Sequence, residues 1–112
     1  MSDLDALHRE YRRSLGDKRA ALRCAWDALC DEAATTQQVA QVHLLLHRLA
    51  GSTGTYGYTQ LADLARVLEQ DWAFWLAQPP ETRPAPYRVC ARQAGVMARF
   101  LASLLAAGQS AE

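Results

Sequence analysis

Apolar side chains recur along this chain every three or four residues, the period of a helix with one buried face. Leu4, Leu7, Tyr11 and Leu15 form a first stripe in SDLDALHREYRRSLG, and Gly16 is expected to end that helix. A second stripe follows Asp17, a candidate N-cap, and turns Leu22, Ala25, Trp26 and Leu29 inward. The third opens at Thr35, where Gln38 completes a capping box. Its seam runs through Val39, Val42, Leu46, Leu49, Thr53 and Tyr56, about five turns. Leu61, Leu64, Leu68, Trp72 and Trp75 carry the same rhythm through TQLADLARVLEQDWAFWLAQ. The stretch PPETRPAP, with Pro79, Pro80, Pro84 and Pro86, is the clearest interruption. Beyond it, from about Tyr87 to Ala107, Val89, Val96, Phe100 and Leu104 face one way. Strand signals are nearly absent, and Ala, Leu, Arg and Gln favour helix. The expected fold is all-α, an antiparallel up-down four-helix bundle with an additional short N-terminal helix.

Length and charge narrow the function classes. A chain of 112 residues suits one domain over residues 1–112, and half of it is hydrophobic, enough for a core without disulfide or metal. Lys plus Arg number 12 and so do Asp plus Glu, a balance that argues against nucleic acid as partner. No apolar run reads as a membrane span, and the polar, acidic start MSDLDALHRE is not a signal peptide. The start methionine and the polar tail AAGQSAE suggest a self-contained protein. Cys24, Cys30 and Cys90 form no C-x-x-C pair and read as reduced, buried thiols of a cytoplasmic protein.

The candidate chemistry lies in HRLAGSTGTYGY, from His47 to Tyr58. As a phosphate-cradling loop it fails. No lysine follows a glycine, no strand precedes, and the Gly51, Gly54, Gly57 spacing does not fit a dinucleotide fingerprint. As a helix it has a logic, although each interior glycine costs about 1 kcal/mol relative to alanine. His47 follows Leu46, so it borders the buried seam and points outward. Gly51 lies one turn on, on the same face, and Gly54 nearly two turns on. A histidine flanked by missing side chains is open to close approach by another protein. His43 and His47 also form an H-x-x-x-H pair, a spacing that can hold a metal, but no Glu or Asp stands near the pair in sequence. In DWAFWLAQ, Trp72 and Trp75 suit the core, while Phe74 lies on another face.

HRLAGSTGTYGYTQLADLARVLE resembles the signature of histidine-containing phosphotransfer domains, both stand-alone proteins and the domain that heads chemotaxis kinases. The positions that carry the resemblance are His47, Leu49, Gly51, Ser52, Gly57, Leu61, Leu68 and Glu69. The family usually has lysine three residues after the histidine; here Ala50 stands there. The resemblance implies that His47 accepts a phosphoryl group from a receiver-domain aspartate and passes it to another receiver's aspartate. It implies a phosphocarrier without kinase activity and with no cofactor of its own, the receiver bringing Mg²⁺. Its partners would be receiver domains of response regulators or hybrid histidine kinases, met by a monomer in the cytoplasm, with neither nucleic acid nor membrane involved.

The resemblance further implies that Glu69 orients the His47 imidazole. His43, Arg48, Ala50, Gly51, Gly54 and Arg66 would form the docking surface and the surroundings of the phosphoryl group. Arg48 or Arg66 would stand in for the missing lysine, Gly51 would leave clearance for the receiver, and Gly57 would end or bend the helix. Ser52 is expected to cap or bond locally, or to serve as a small packing residue. Two other readings remain open at this point, a helical interaction module that docks without being phosphorylated and a bundle that binds metal through His43 and His47.

Overall fold

A computed structural model of the protein describes residues 3–109; Met1, Ser2 and the last three residues of the polar tail lie outside that range. Within it are four α-helices, α1 (Asp3–Leu29), α2 (Thr36–Thr55), α3 (Thr59–Ala77) and α4 (Pro86–Gly108), with a single 3₁₀ turn at Pro80–Thr82. Each helix packs on its neighbour in sequence and α4 closes the ring on α1. Short connections make successive helices antiparallel, so the expected all-α up-down bundle is the observed architecture.

The predicted break at Gly16 does not occur. The two expected N-terminal helices are one helix of 27 residues, and Asp17 lies exposed in its interior instead of capping a new one. The reason is packing on both sides of the glycine. Leu15 and Leu22 are fully buried, Arg19 Nε donates to Leu101 O at 2.8 Å, and the end of α4 at Gly108 lies against Leu15, Arg12 and Gly16. A continuous contact with α4 outweighs the roughly 1 kcal/mol that one interior glycine costs. Leu4 and Leu7 depart from expectation too, at 76 % and 49 % exposed. His8 and Tyr11 are level with the α2–α3 turn, where they meet Tyr56 and Tyr58. The first turns of α1 therefore extend beyond the bundle.

Helix ends follow local rules. Thr35 Oγ1 accepts from Gln38 N, and Gln38 Oε1 accepts from Thr35 N, which completes the expected capping box. At the other end Gly57 takes φ of 86°. Tyr58 N donates to Thr53 O and Gly57 N to Gly54 O, the Schellman pairing that stops a helix at a left-handed residue. Pro86 begins α4 at a position with no amide bond to lose. Arg83 closes the C-terminus of α3, donating to the carbonyls of Trp75, Leu76 and Gln78 while its guanidinium lies over the Trp75 ring.

The core is the sum of the stripes. Val39, Val42, Leu46, Leu68, Trp72, Phe100 and Leu104 are buried, whereas Leu64, Val96 and Tyr56 are only partly so. By length and composition α4 would pass for a membrane span, contrary to expectation, but Val89, Met97, Phe100 and Leu104 on it are spent on the core. The cysteines also depart from the prediction. Cys24 and Cys30 are exposed and only Cys90 is buried. Burial first, and then the nearby Cys30 thiol, push the Cys90 thiol up to about 12, so it stays protonated.

One polar group is built into this core. Gln93 is 3 % exposed, and its Oε1 accepts from both Trp72 Nε1 (2.8 Å) and Trp26 Nε1 (3.0 Å). Its amide nitrogen donates to Asp71 Oδ2. The residue thereby ties α1, α3 and α4 together. Gln93→Leu strands two indole N–H groups, and loss of about 2–4 kcal/mol of stability is expected. Chemical denaturation checks this; an unchanged midpoint would show that the network contributes nothing net.

Candidate functional site

Alternation between seam and border decides what α2 and α3 present to each other. Leu46 and Leu68 are fully buried between the helices. His47 and Glu69, each one residue further along, emerge at the edge of the same interface. There His47 Nδ1 and Glu69 Oε1 stand 2.6 Å apart. The His47 side chain is 68 % exposed and that of Glu69 only 17 %. An ionised carboxylate only accepts hydrogen bonds, so this contact requires the imidazole proton on Nδ1. The lone pair is then on Nε2, on the ring edge away from Glu69.

A shallow groove beside this pair is lined by His47, Ala50, Gly51, Arg66, Glu69, Gln70 and Ala73. Five of these come from the sequence reading. Gln70 and Ala73 were missed, although they lie one turn after Arg66 and Glu69 respectively, the spacing that puts helical side chains on one face. Arg66 reaches the groove as expected. Its guanidinium bonds Asp63 Oδ1 at 3.3 Å and extends over Gly54. Arg48 is exposed but does not line the groove. Ala50 is 5 % exposed and forms part of the groove floor.

The glycines of the motif do three different things. A Cβ on Gly51 would meet nothing within 4 Å, so no contact inside the bundle requires glycine there. A Cβ on Gly54 would touch Arg66 and Ala62 at ordinary van der Waals distance, so Gly54 faces α3 and not the groove. Gly57 serves the turn. The Ser52 hydroxyl bonds to neither a neighbouring residue of α2 nor a helix cap. Its Oγ lies 2.6 Å from the hydroxyl of Tyr11 and fastens α2 to α1. Tyr11 in turn stacks on Tyr56, with ring centroids 4.1 Å apart, and burial raises its pKa.

His43 joins the cluster from one turn earlier. Its Nε2 is 3.5 Å from Glu69 Oε1, and its ring lies at 19° to that of His47. The histidine pair thus has an acidic neighbour after all, brought by α3. A zinc ion held tetrahedrally at 2.0–2.1 Å would keep two ligand atoms about 3.3 Å apart. Nδ1 and Oε1 at 2.6 Å are hydrogen-bonded, and too close for that. Among the described residues no group of three or more His, Cys, Asp or Glu side chains is arranged to hold a metal ion.

An up-down helical bundle that exposes one imidazole, backed by a carboxylate and flanked by an open glycine, is a scaffold that presents a histidine at its surface. The Hpt domain family matches residues 4–107, and the chain belongs to that family, whose role is histidine phosphotransfer in two-component signalling. Comparison with curated proteins and with solved structures returns no match.

If Gly51 is open for the sake of a partner, Gly51→Leu folds normally. It is expected to gain up to about 1 kcal/mol from improved helix propensity. Thermal unfolding reads this directly, and a melting point several degrees below wild type would assign the glycine to internal packing.

Proposed function

We propose that His47 is the phosphoryl acceptor of a phosphorelay, taking the group from an aspartyl phosphate of one receiver domain and passing it to the aspartate of another. The observation that carries this reading is the exposed imidazole whose Nδ1 is occupied by Glu69. A neutral imidazole with its lone pair on Nε2 is a nucleophile near pH 7 without a strong base. In the forward step the Nε2 lone pair forms the N–P bond as the aspartate oxygen leaves with its electron pair. The return step reverses both changes. Transfer needs in-line alignment and neutralisation of charge more than covalent help from the bundle. The receiver supplies the Mg²⁺ and the acidic pocket.

Glu69 stabilises the positive charge that develops on the ring as Nε2 attacks. Arg66 is the cation that lines the groove, and it takes over part of the role of the lysine replaced by Ala50. Gly51, with open space around it, lets the receiver backbone come close to His47. Gln70 and Ala73 complete that contact surface from α3. Docking without phosphorylation is the less economical reading, since it leaves the carboxylate-backed imidazole unused.

Incubation with a panel of phosphorylated receivers tests the proposal. Acid-labile label is expected on the wild type and not on His47→Ala; equal labelling of both would remove His47 from the mechanism. Glu69→Ala is expected to slow transfer about ten- to hundredfold, the range of a hydrogen bond to a charged group, with the helical content unchanged. An unaltered rate would sink the orienting role. Gly51→Leu is expected to block transfer while keeping its fold, and normal kinetics in that variant would refute the docking picture.

A further inference from the structure

His43 lies on the same face of α2 as His47, one turn before it, and the proposed transfer leaves it without a task. The geometry gives it one. A single carboxylate oxygen, Glu69 Oε1, faces both imidazoles, His47 Nδ1 at 2.6 Å and His43 Nε2 at 3.5 Å. The two rings are nearly parallel, with centroids 6.3 Å apart. Exposure separates their roles. The His43 side chain is 30 % exposed against 68 % for His47, and the nitrogen it directs at the cluster is turned toward Glu69. His43 thus addresses the carboxylate, and His47 addresses the solvent.

We infer that His43 is a positioning residue for the acceptor histidine: it holds the Glu69 carboxylate from a second side and thereby keeps the His47 proton on Nδ1. This inference rests on the acceptor role proposed for His47.

The physical argument starts from the freedom of a glutamate. Its side chain has three rotatable bonds, and one hydrogen bond leaves the carboxylate free to swing. If Oε1 leaves His47, no other side chain among the described residues holds the proton on Nδ1, and the Nε2–H tautomer has no lone pair at the reacting edge. A carboxylate oxygen has two lone pairs, so Oε1 can face two N–H groups together. At 3.5 Å the His43 contact is longer than a good N–H···O bond. It acts as a weak charge–dipole tether between the carboxylate and the His43 N–H, and it is shielded from water by the low exposure of Glu69. The short bond sets the tautomer, and the long contact limits where the carboxylate can go. Preorganisation of this kind acts on the rate without touching the phosphoryl group.

The test combines a spectroscopic readout with kinetics. Imidazole ¹⁵N shifts of His47 are recorded in the wild type, His43→Leu, His43→Gln and Glu69→Ala, with circular dichroism to verify helix content. The wild type is expected to show His47 with its proton on Nδ1. His43→Leu is expected to shift His47 toward the other tautomer and to slow transfer from a phosphorylated receiver about two- to tenfold, as for loss of one modest polar contact. His43→Gln keeps an N–H donor and is expected to recover most of both effects. In the Glu69→Ala background, His43→Leu is expected to add little, because Glu69→Ala removes the oxygen through which both residues act. An unchanged His47 tautomer in a folded His43→Leu protein would overturn the inference, and so would a slowing that adds in full to that of Glu69→Ala. If His43→Leu unfolds, His43→Gln and His43→Ala make the same comparison. The tautomer measurement requires no phosphate donor. Absence of label on the wild type would therefore refute the acceptor role, while the shifts would still decide whether His43 positions Glu69.

Discussion

Everything at the site depends on how closely α2 packs against α3. These two helices make the most extensive contact in the bundle. Small residues permit the approach: Ala50 on one side and Ala62 and Ala65 on the other are buried, and Gly54 lies against Ala62. Leu46, Leu49 and Leu68 fill the seam between them. Once the seam is set, its border is set too, and a residue next to Leu46 must face a residue next to Leu68. The 2.6 Å contact of His47 with Glu69 is thus a consequence of helix register. The register is held by the turn at Gly57, whose Schellman bonds fix where α2 stops and α3 begins.

The other two helices keep that hairpin rigid. Tyr11 grips α2 through Ser52 and stacks on Tyr56 near the turn. At the opposite end of α3, Gln93 satisfies Trp72 and Trp26 together, and Arg83 closes the exposed carbonyls after Trp75. Among the described residues no buried side-chain nitrogen or oxygen lacks a hydrogen-bond partner. The chemistry is consequently placed on two stiff helices and not on a loop. That suits the acceptor role proposed for His47, in which the bundle's contribution is alignment.

Much of this was legible from spacing, and the exceptions have a common cause. The capping box at Thr35 and Gln38 and the stop at Gly57 depend on neighbours within five residues, and local rules found them. The burial of Leu46 and Leu68, and so the border positions of His47 and Glu69, followed from periodicity. The break expected at Gly16 did not, because packing against α4 outweighs the local cost of glycine. Ser52, expected to bond locally or to serve as a small packing residue, makes a tertiary bond to Tyr11, and neither Gln93 nor Arg83 carries any sequence signal of its role. The same holds for the meeting of His43 with Glu69, which are distant in sequence and joined only by the hairpin. Cys24 is a different case. It lies two residues past Leu22, on the far side of the helix from the buried stripe, so its exposure was readable from the same periodicity.

The central claim is that Glu69 occupies Nδ1 of His47 and leaves Nε2 to react. The most direct test is to phosphorylate ¹⁵N-labelled protein with a receiver and locate the phosphorus by its coupling to the imidazole nitrogens. The account predicts a single phosphoramidate at Nε2 of His47. Phosphorus on Nδ1 of His47, or on His43, would contradict it.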